Sequence, residues 1–221
     1  MIKRQRGKEA GEGINQRAFE IELLLREKYP SAPTALRHAN PLQLLISVIL
    51  SAQCTDARVN MVTPALFEEY ATAEAFAHAH PADLERAIHS TGFYHSKAKN
   101  IINCCKAIIE KHAGQVPSSM DELLQLPGVG RKTANCVLSG AFNISSGIVV
   151  DTHVKRLALR LGLTKNSSPE KIELDLCGLI DRKDWIHFGN ALILHGRGIC
   201  NARKPQCSVC FLSHKCPSAE A

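Results

Sequence analysis

The chain has 221 residues, 45% hydrophobic and 22% charged, with a formal net charge of +6 at pH 7. That length supports one large or two small domains with real cores, and the composition is ordinary for a soluble globular protein. No stretch is long and apolar enough to span a membrane, and the basic start Met1-Ile-Lys-Arg-Gln-Arg-Gly-Lys8 has no apolar core behind it, which excludes a secretory signal. The pI near 8.9 suits a polyanionic partner, though many basic proteins bind no nucleic acid.

Residues 1–15 read as a flexible basic tail. A short amphipathic helix is predicted over Ala18–Tyr29, with Phe19, Ile21, Leu23, Leu24 and Leu25 apolar. Asn40-Pro41 then pairs a good cap with Pro at the first helical position. The helix it opens, Leu42–Leu50, is apolar nearly all round and so belongs in a core. A polar break follows, Ser51-Ala-Gln53-Cys-Thr-Asp56, in which Thr55 or Asp56 caps the next helix to about Phe67. Helices are expected near Ala73–His78 and Pro81–Ser90. After Thr91-Gly-Phe93-Tyr-His-Ser96, Ser96 is predicted to cap a long helix from Lys97 to His112, stopped by Gly114. Ser118 or Ser119 opens a short helix through Leu126.

The next stretch is the one on which the chain is organised: Leu124-Gln-Leu-Pro-Gly-Val-Gly-Arg-Lys132-Thr-Ala-Asn135. Pro127, Gly128 and Gly130 predict a tight turn with glycine-type backbone angles. Val129, Ala134, Val137, Leu138 and Ala141 predict a helix just after it. A glycine-rich turn feeding a helix N-terminus presents free backbone N–H groups, an arrangement suited to phosphate. With helical signal on both sides, it reads as helix–hairpin–helix. Lys132 falls in the first helical turn beside Arg131, where the helix dipole and the neighbouring cation both disfavour an ammonium. A lowered pKa is expected there, which suits a nucleophilic amine; a lysine that only binds phosphate is the alternative on the residue alone.

Asp151 precedes a periodic helix running to Leu161, stopped by Gly162. It is expected to be the N-cap, its carboxylate ionised and able to stabilise positive charge. From Arg131 to about Phe142 the helix carries the chain roughly 16 Å, and the eight residues Asn143 to Val150 span up to about 26–29 Å when extended. The chain is therefore long enough to bring Asp151 back to Lys132. Ser168-Pro169 opens a further helix to about Ile180, and another runs from Asp184 to Gly196. No stretch shows strict two-residue alternation, so the fold class is all-α.

Nine cysteines are present. Cys54, Cys104, Cys105, Cys136 and Cys177 lie inside helical patterns and are expected as small core residues. The other four form Cys200-x6-Cys207-x2-Cys210-x5-Cys216, close enough to enclose one metal centre. Zinc sites usually pair two short Cys-x-x-Cys knuckles; only one occurs here, so spacing leans slightly to iron–sulfur over zinc. Arg197, Arg203 and Lys204 lie in and beside the longest of these loops.

The string Leu126-Pro-Gly-Val-Gly-Arg-Lys132-Thr-Ala-Asn135, followed by Val150-Asp151-Thr-His153, resembles the endonuclease III family of DNA glycosylases, and the resemblance extends over residues 18–216. It implies two helical domains with a DNA-binding cleft between them. One is a helical barrel over 34–144 that carries the helix–hairpin–helix at 124–135; the other, 16–33 with 145–221, holds a 4Fe–4S cluster on Cys200, Cys207, Cys210 and Cys216. The Lys132–Asp151 loop is one residue longer than the usual bacterial pattern. The implied activity is base excision repair of oxidised pyrimidines in double-stranded DNA, by a bifunctional glycosylase/AP lyase. In it Lys132 is the Schiff-base nucleophile, Asp151 assists, and β-elimination cuts the strand. Gln53 matches the family's inserting residue, with helix capping as its alternative. Phe93 stands where a wedge residue, often Leu, is expected, with a core aromatic under a loop as its alternative. Gly128, Gly130 and Arg131 are expected at phosphates. Arg197 and Lys204 are expected at DNA once a cluster fixes their loop, or as a plain solvated patch, and residues 1–15 either touch DNA weakly or do not. A monovalent cation on the carbonyls of Leu124, Leu126 and Val129 is also implied, as are a monomer and a cytoplasmic, nucleoid-associated setting in a bacterium. The competing readings are a monofunctional mismatch or adenine glycosylase, against which Lys132 argues, and a non-catalytic helix–hairpin–helix DNA-binding protein.

Overall fold

The computed structural model describes residues 2–219, with side chains described from residue 13 onward. The regular structure among the described residues is helical throughout, with eleven α-helices and no strand. The chain divides into two compact units, residues 34–146 and residues 1–33 with 147–221.

In the first of these, α2 (Pro41–Leu50) is the centre. Asn40 accepts a hydrogen bond from the Gln43 N–H at 2.9 Å, and Pro41 occupies a position whose N–H is dispensable. Every residue from Leu44 to Leu50 is buried, as its all-round apolar pattern predicts. Thr55 caps α3 (Asp56–Glu69), and Thr72 caps α4 (Ala73–Ala77). Then come α5 (Pro81–Ile88) and α6 (Tyr94–His112), which bury Phe76, Leu84, Ile88, Ile101 and Ile108 in the shared core. Ser119 caps α7 (Met120–Leu124), and α8 (Arg131–Phe142) follows the hairpin. α8 packs closely against α2 at Gly140. A Cβ on Gly140 would stand 2.7 Å from Leu44 Cδ2, and Leu44 is fully buried.

The start of α6 differs from expectation. The helix begins at Tyr94 rather than Lys97, and Ser96 is an exposed residue within its first turn instead of the cap. Phe93 precedes the helix in a left-handed conformation, φ 50°, and its carbonyl accepts from the Lys97 N–H at 3.0 Å. Burial of Lys97, Ala98 and Ile101 sets the helix phase, which a serine hydroxyl worth about 1 kcal/mol does not outweigh. At the other end both Ala113 (φ 51°) and Gly114 (φ 78°) are left-handed, and the Gly114 N–H reaches Ile108 O at 3.2 Å.

The second unit is built from α1 (Ile2–Lys28), α9 (Thr152–Arg160), α10 (Pro169–Leu179) and α11 (Trp185–Gly198). Ala18, Ile21 and Leu25 form the buried stripe of α1 and share a core with Val154, Leu157, Phe188 and Leu192. Phe19 and Leu23, apolar in the sequence pattern, are 56% and 48% exposed because the helical period places them off that stripe. The basic stretch expected as a tail continues α1 from Ile2. Extending a helix already nucleated by buried residues costs less than starting one, even with Gly7, Gly11 and Gly13 in the stretch.

The cysteine expectation holds for two of five. Cys104 and Cys105 are buried, and burial pushes the Cys104 thiol up to about 12. Cys54, Cys136 and Cys177 are only half-buried, since each sits at the edge of its helix's apolar face or beyond the helix end. Truncating Leu44 tests the α2–α8 contact: Leu44→Ala is expected to cost about 2–5 kcal/mol in urea unfolding, and an unchanged midpoint would contradict the close packing at Gly140.

Candidate functional site

The hairpin between α7 and α8 is closed by backbone. Leu126 N–H donates to Leu123 O, and Val129 N–H donates to Leu126 O, both at 3.1 Å. Gly128 adopts φ 78°, and a Cβ there would stand 2.8 Å from Asn100 Cβ on α6. Both the dihedral and the space therefore demand glycine. Gly130 differs from expectation. Its φ of −93° is open to any residue, and a Cβ would meet nothing within 4 Å. The turn needs one glycine; the second instead leaves the helix mouth bare. Gly130 caps α8 without a side chain, and the first ladder bond runs from Ala134 N–H to Gly130 O at 2.9 Å. The amides of Arg131, Lys132 and Thr133 precede that ladder, and the Arg131 and Lys132 side chains are exposed. A helix start with no side-chain cap, positively polarised and with two cations beside it, can take an anion.

Asp151 caps α9. One carboxylate oxygen, Oδ1, accepts from the His153 and Val154 N–H groups, each at 2.8 Å, and the residue is half-buried. The cap fixes the carboxylate's rotamer. Lys132 belongs to the 34–146 unit and Asp151 to the other.

Gln53 lies in the turn after α2 and is exposed, with φ 53°. It caps no helix, since Thr55 does so for α3. Phe93 is 63% exposed with φ 50°, so it is not a core aromatic. A large aromatic held outward on a left-handed backbone is costly unless its surroundings enforce it. Lys97, which the sequence reading passed over, lies behind both turns. It is 4% exposed, and Nζ donates to Leu50 O at 2.7 Å and Thr91 O at 2.8 Å. Its only sequence signal was a lysine on the buried face of α6, next to Ala98.

The four C-terminal cysteines line one cavity of about 200 Å³, shared with Arg160 and His195. Burial pushes the Cys210 and Cys216 thiols up, and the neighbouring cysteines add to it by repulsion, partly opposed by backbone N–H donors. Among the described residues no three His, Cys, Asp or Glu side chains converge where a single metal ion could sit. Four sulfur donors on one cavity are the ligand chemistry that an iron–sulfur cluster uses.

Two arginines of α9 that the sequence reading did not single out hold the loop between the first two cysteines. Arg160 donates to Asn201 O and Ala202 O at 2.8 Å, and reaches Cys200 Sγ at 3.3 Å. Arg156 donates to Gly196 O at 2.8 Å and Cys200 O at 3.0 Å. The signal available was two arginines four residues apart, interleaved with the buried Val154, Leu157 and Ala158. His195 is also buried; its Nε2 lies 3.4 Å from Cys210 Sγ, and Nδ1 lies 3.3 Å from the Tyr29 hydroxyl. Arg197, Arg203 and Lys204 are exposed beside this framework.

Comparison with known proteins adds to this geometry. Residues 46–182 match the HhH-GPD superfamily of base excision DNA repair proteins. The endonuclease III of Synechocystis sp. is 56% identical over 206 residues, covering 93% of this chain and 94% of that one. A solved non-covalent endonuclease III–DNA complex superposes with a TM-score of 0.89 at 43% identity, covering 93% of this chain and 96% of that one. A trapped endonuclease III–DNA covalent intermediate does so with a TM-score of 0.88, at the same identity and coverage.

The two hairpin glycines are expected to respond differently to alanine. Gly128→Ala should destabilise by about 1–3 kcal/mol through its positive φ and the Asn100 clash, whereas Gly130→Ala should stay within about 0.5 kcal/mol. Thermal unfolding of both variants checks this; equal losses would mean that the turn needs both glycines.

Proposed function

The chain belongs to the endonuclease III family, within the HhH-GPD superfamily of base excision repair proteins, and from that premise we propose a lesion and a set of residue roles. The chain is a bifunctional DNA glycosylase and AP lyase, and its substrates are oxidised pyrimidines and abasic sites in double-stranded DNA. The observation that carries the residue assignment is the exposed Lys132 amine, on the first turn of a helix whose cap residue has no side chain. That a relative 43% identical was trapped as a covalent intermediate with DNA supports an amine nucleophile here.

The backbone N–H groups at the start of α8, with Gly128, Gly130 and Arg131, bind a phosphate and hold the strand. Gln53 and Phe93 enter the stack as the damaged base leaves it. The Lys132 amine attacks C1′ as the base departs with the bonding electrons. Asp151 stabilises the positive charge on the sugar or takes the lysine's proton. Ring opening gives the Schiff base. Loss of a C2′ proton then expels the 3′ phosphate, and water releases the enzyme.

The family generally carries a 4Fe–4S cluster, and the donor set here fits one. Cys200, Cys207, Cys210 and Cys216 would hold it, and when bound it supplies the cross-link that gives the 200–216 segment a fixed shape. Arg156 and Arg160 tether that segment to α9, and Arg197 and Lys204 meet phosphates from it. The carbonyls of Leu124, Leu126 and Val129 are assigned to a monovalent cation; Leu126 O keeps a second lone pair beyond the one used by Val129 N–H. The enzyme is assigned as a monomer that works on the bacterial nucleoid.

Borohydride trapping on lesion-containing duplex is expected to give a covalent adduct with wild-type protein and none with Lys132→Gln. An adduct retained in the variant moves the nucleophile elsewhere, and base release with no wild-type adduct makes the enzyme monofunctional. Asp151→Asn separates capping from chemistry, because Asn caps a helix about as well as Asp. Its unfolding midpoint should be unchanged while excision falls by about 10²–10³; unchanged excision would leave Asp151 a cap only. Purified protein should carry iron and acid-labile sulfide in equal amounts with visible absorption, and Cys210→Ala should lose both. Stoichiometric zinc instead would overturn the cluster assignment.

A further inference from the structure

The two outward-facing turns at Gln53 and Phe93 share one buried cation. Leu50 O is the last carbonyl of α2, and Thr91 O ends the single 3-10 turn at His89–Thr91. Both are helix-end carbonyls, where a cation is favoured by the dipole and fills a vacant acceptor. Lys97 Nζ donates to the two of them at 2.7 and 2.8 Å. Gln53 follows the first carbonyl by three residues, and Phe93 follows the second by two. Each of these residues is exposed on a left-handed backbone, φ 53° and 50°. Burying a lysine to satisfy two carbonyls is unfavourable in itself, and desolvation holds the ammonium below its usual range, partly offset by Cys54. A solvated turn would have no need of it.

We propose that Lys97 is a positioning residue for base extrusion: its ammonium ties the Gln53 turn to the Phe93 turn, so the two side chains enter the duplex as one rigid unit. This rests on the reading of Gln53 and Phe93 as the residues that fill the vacated stack. Preorganisation of this kind lowers the cost of ordering two exposed loops at the moment of binding. It matters where a stacked base must be displaced, and matters less at an abasic site, which has no base to extrude.

The test is Lys97→Met, which keeps the volume and removes both hydrogen bonds. Single-turnover excision of an oxidised pyrimidine is expected to slow about ten- to a hundredfold, while cleavage at a preformed abasic site stays within about threefold of wild type. The fluorescence rise of 2-aminopurine placed opposite the lesion, which reports unstacking on binding, should shrink in parallel. In a Gln53→Ala/Phe93→Ala background, Lys97→Met should cost no more than about twofold further. If Lys97→Met does not melt cooperatively, Lys97→Gln, whose uncharged side chain is one atom shorter and no longer reaches both carbonyls, is read by the same split. Equal losses in excision and cleavage, a fully additive loss in that background, or no loss at all would overturn the linkage. Wild-type protein with neither activity would instead overturn the functional reading beneath it.

Discussion

At Gly128 the chain passes so close to Asn100 that no side chain fits, and α8 begins three residues later. Lys132 and the amides at the start of that helix inherit their position from the turn. A second tight approach, Gly140 against Leu44, fixes the other end of α8 on α2. Between these two points the helix has little freedom to slide or rotate, because interiors packed to this density do not yield gradually. A lysine on a looser helix would sweep a volume rather than address one carbon atom.

α6 serves two parts of this unit at once. Asn100 backs the hairpin, and Lys97, one turn earlier, holds the ends of α2 and of the 3-10 turn before Phe93. The hairpin and the two exposed turns are thereby referred to one rigid element. In the other unit α9 has the comparable part: Asp151 is fixed at its N-terminus, and Arg156 and Arg160 reach from its body to the cysteine loop. Each helix ties separate loops together through side chains that donate to their backbone carbonyls.

Much of the fold was legible because helix boundaries are local. Asn40, Thr55, Ser119, Asp151 and Ser168 each accept from an N–H two or three residues on, and each is readable from a window of that size. The failures have the same origin. Ser96 offers a good cap, but the buried face of α6 sets a different phase. Phe19 and Leu23 are apolar, but only the stripe of Ala18, Ile21 and Leu25 meets a partner. Gly130 looked as constrained as Gly128, because a sequence shows the absence of a side chain and not what would collide with one.

The sequence by itself determined the all-helical class, the caps at Asn40, Asp151 and Ser168, the glycine turn with Lys132 after it, and the four-cysteine spacing. All of these rest on interactions within a few residues or on composition. Tertiary structure alone decided that Lys97 is buried against a carbonyl 47 residues away, that Arg160 braces a loop some 40 residues on, and that Phe93 faces outward. These depend on which surfaces meet after folding, and neither helical period nor local propensity carries that information.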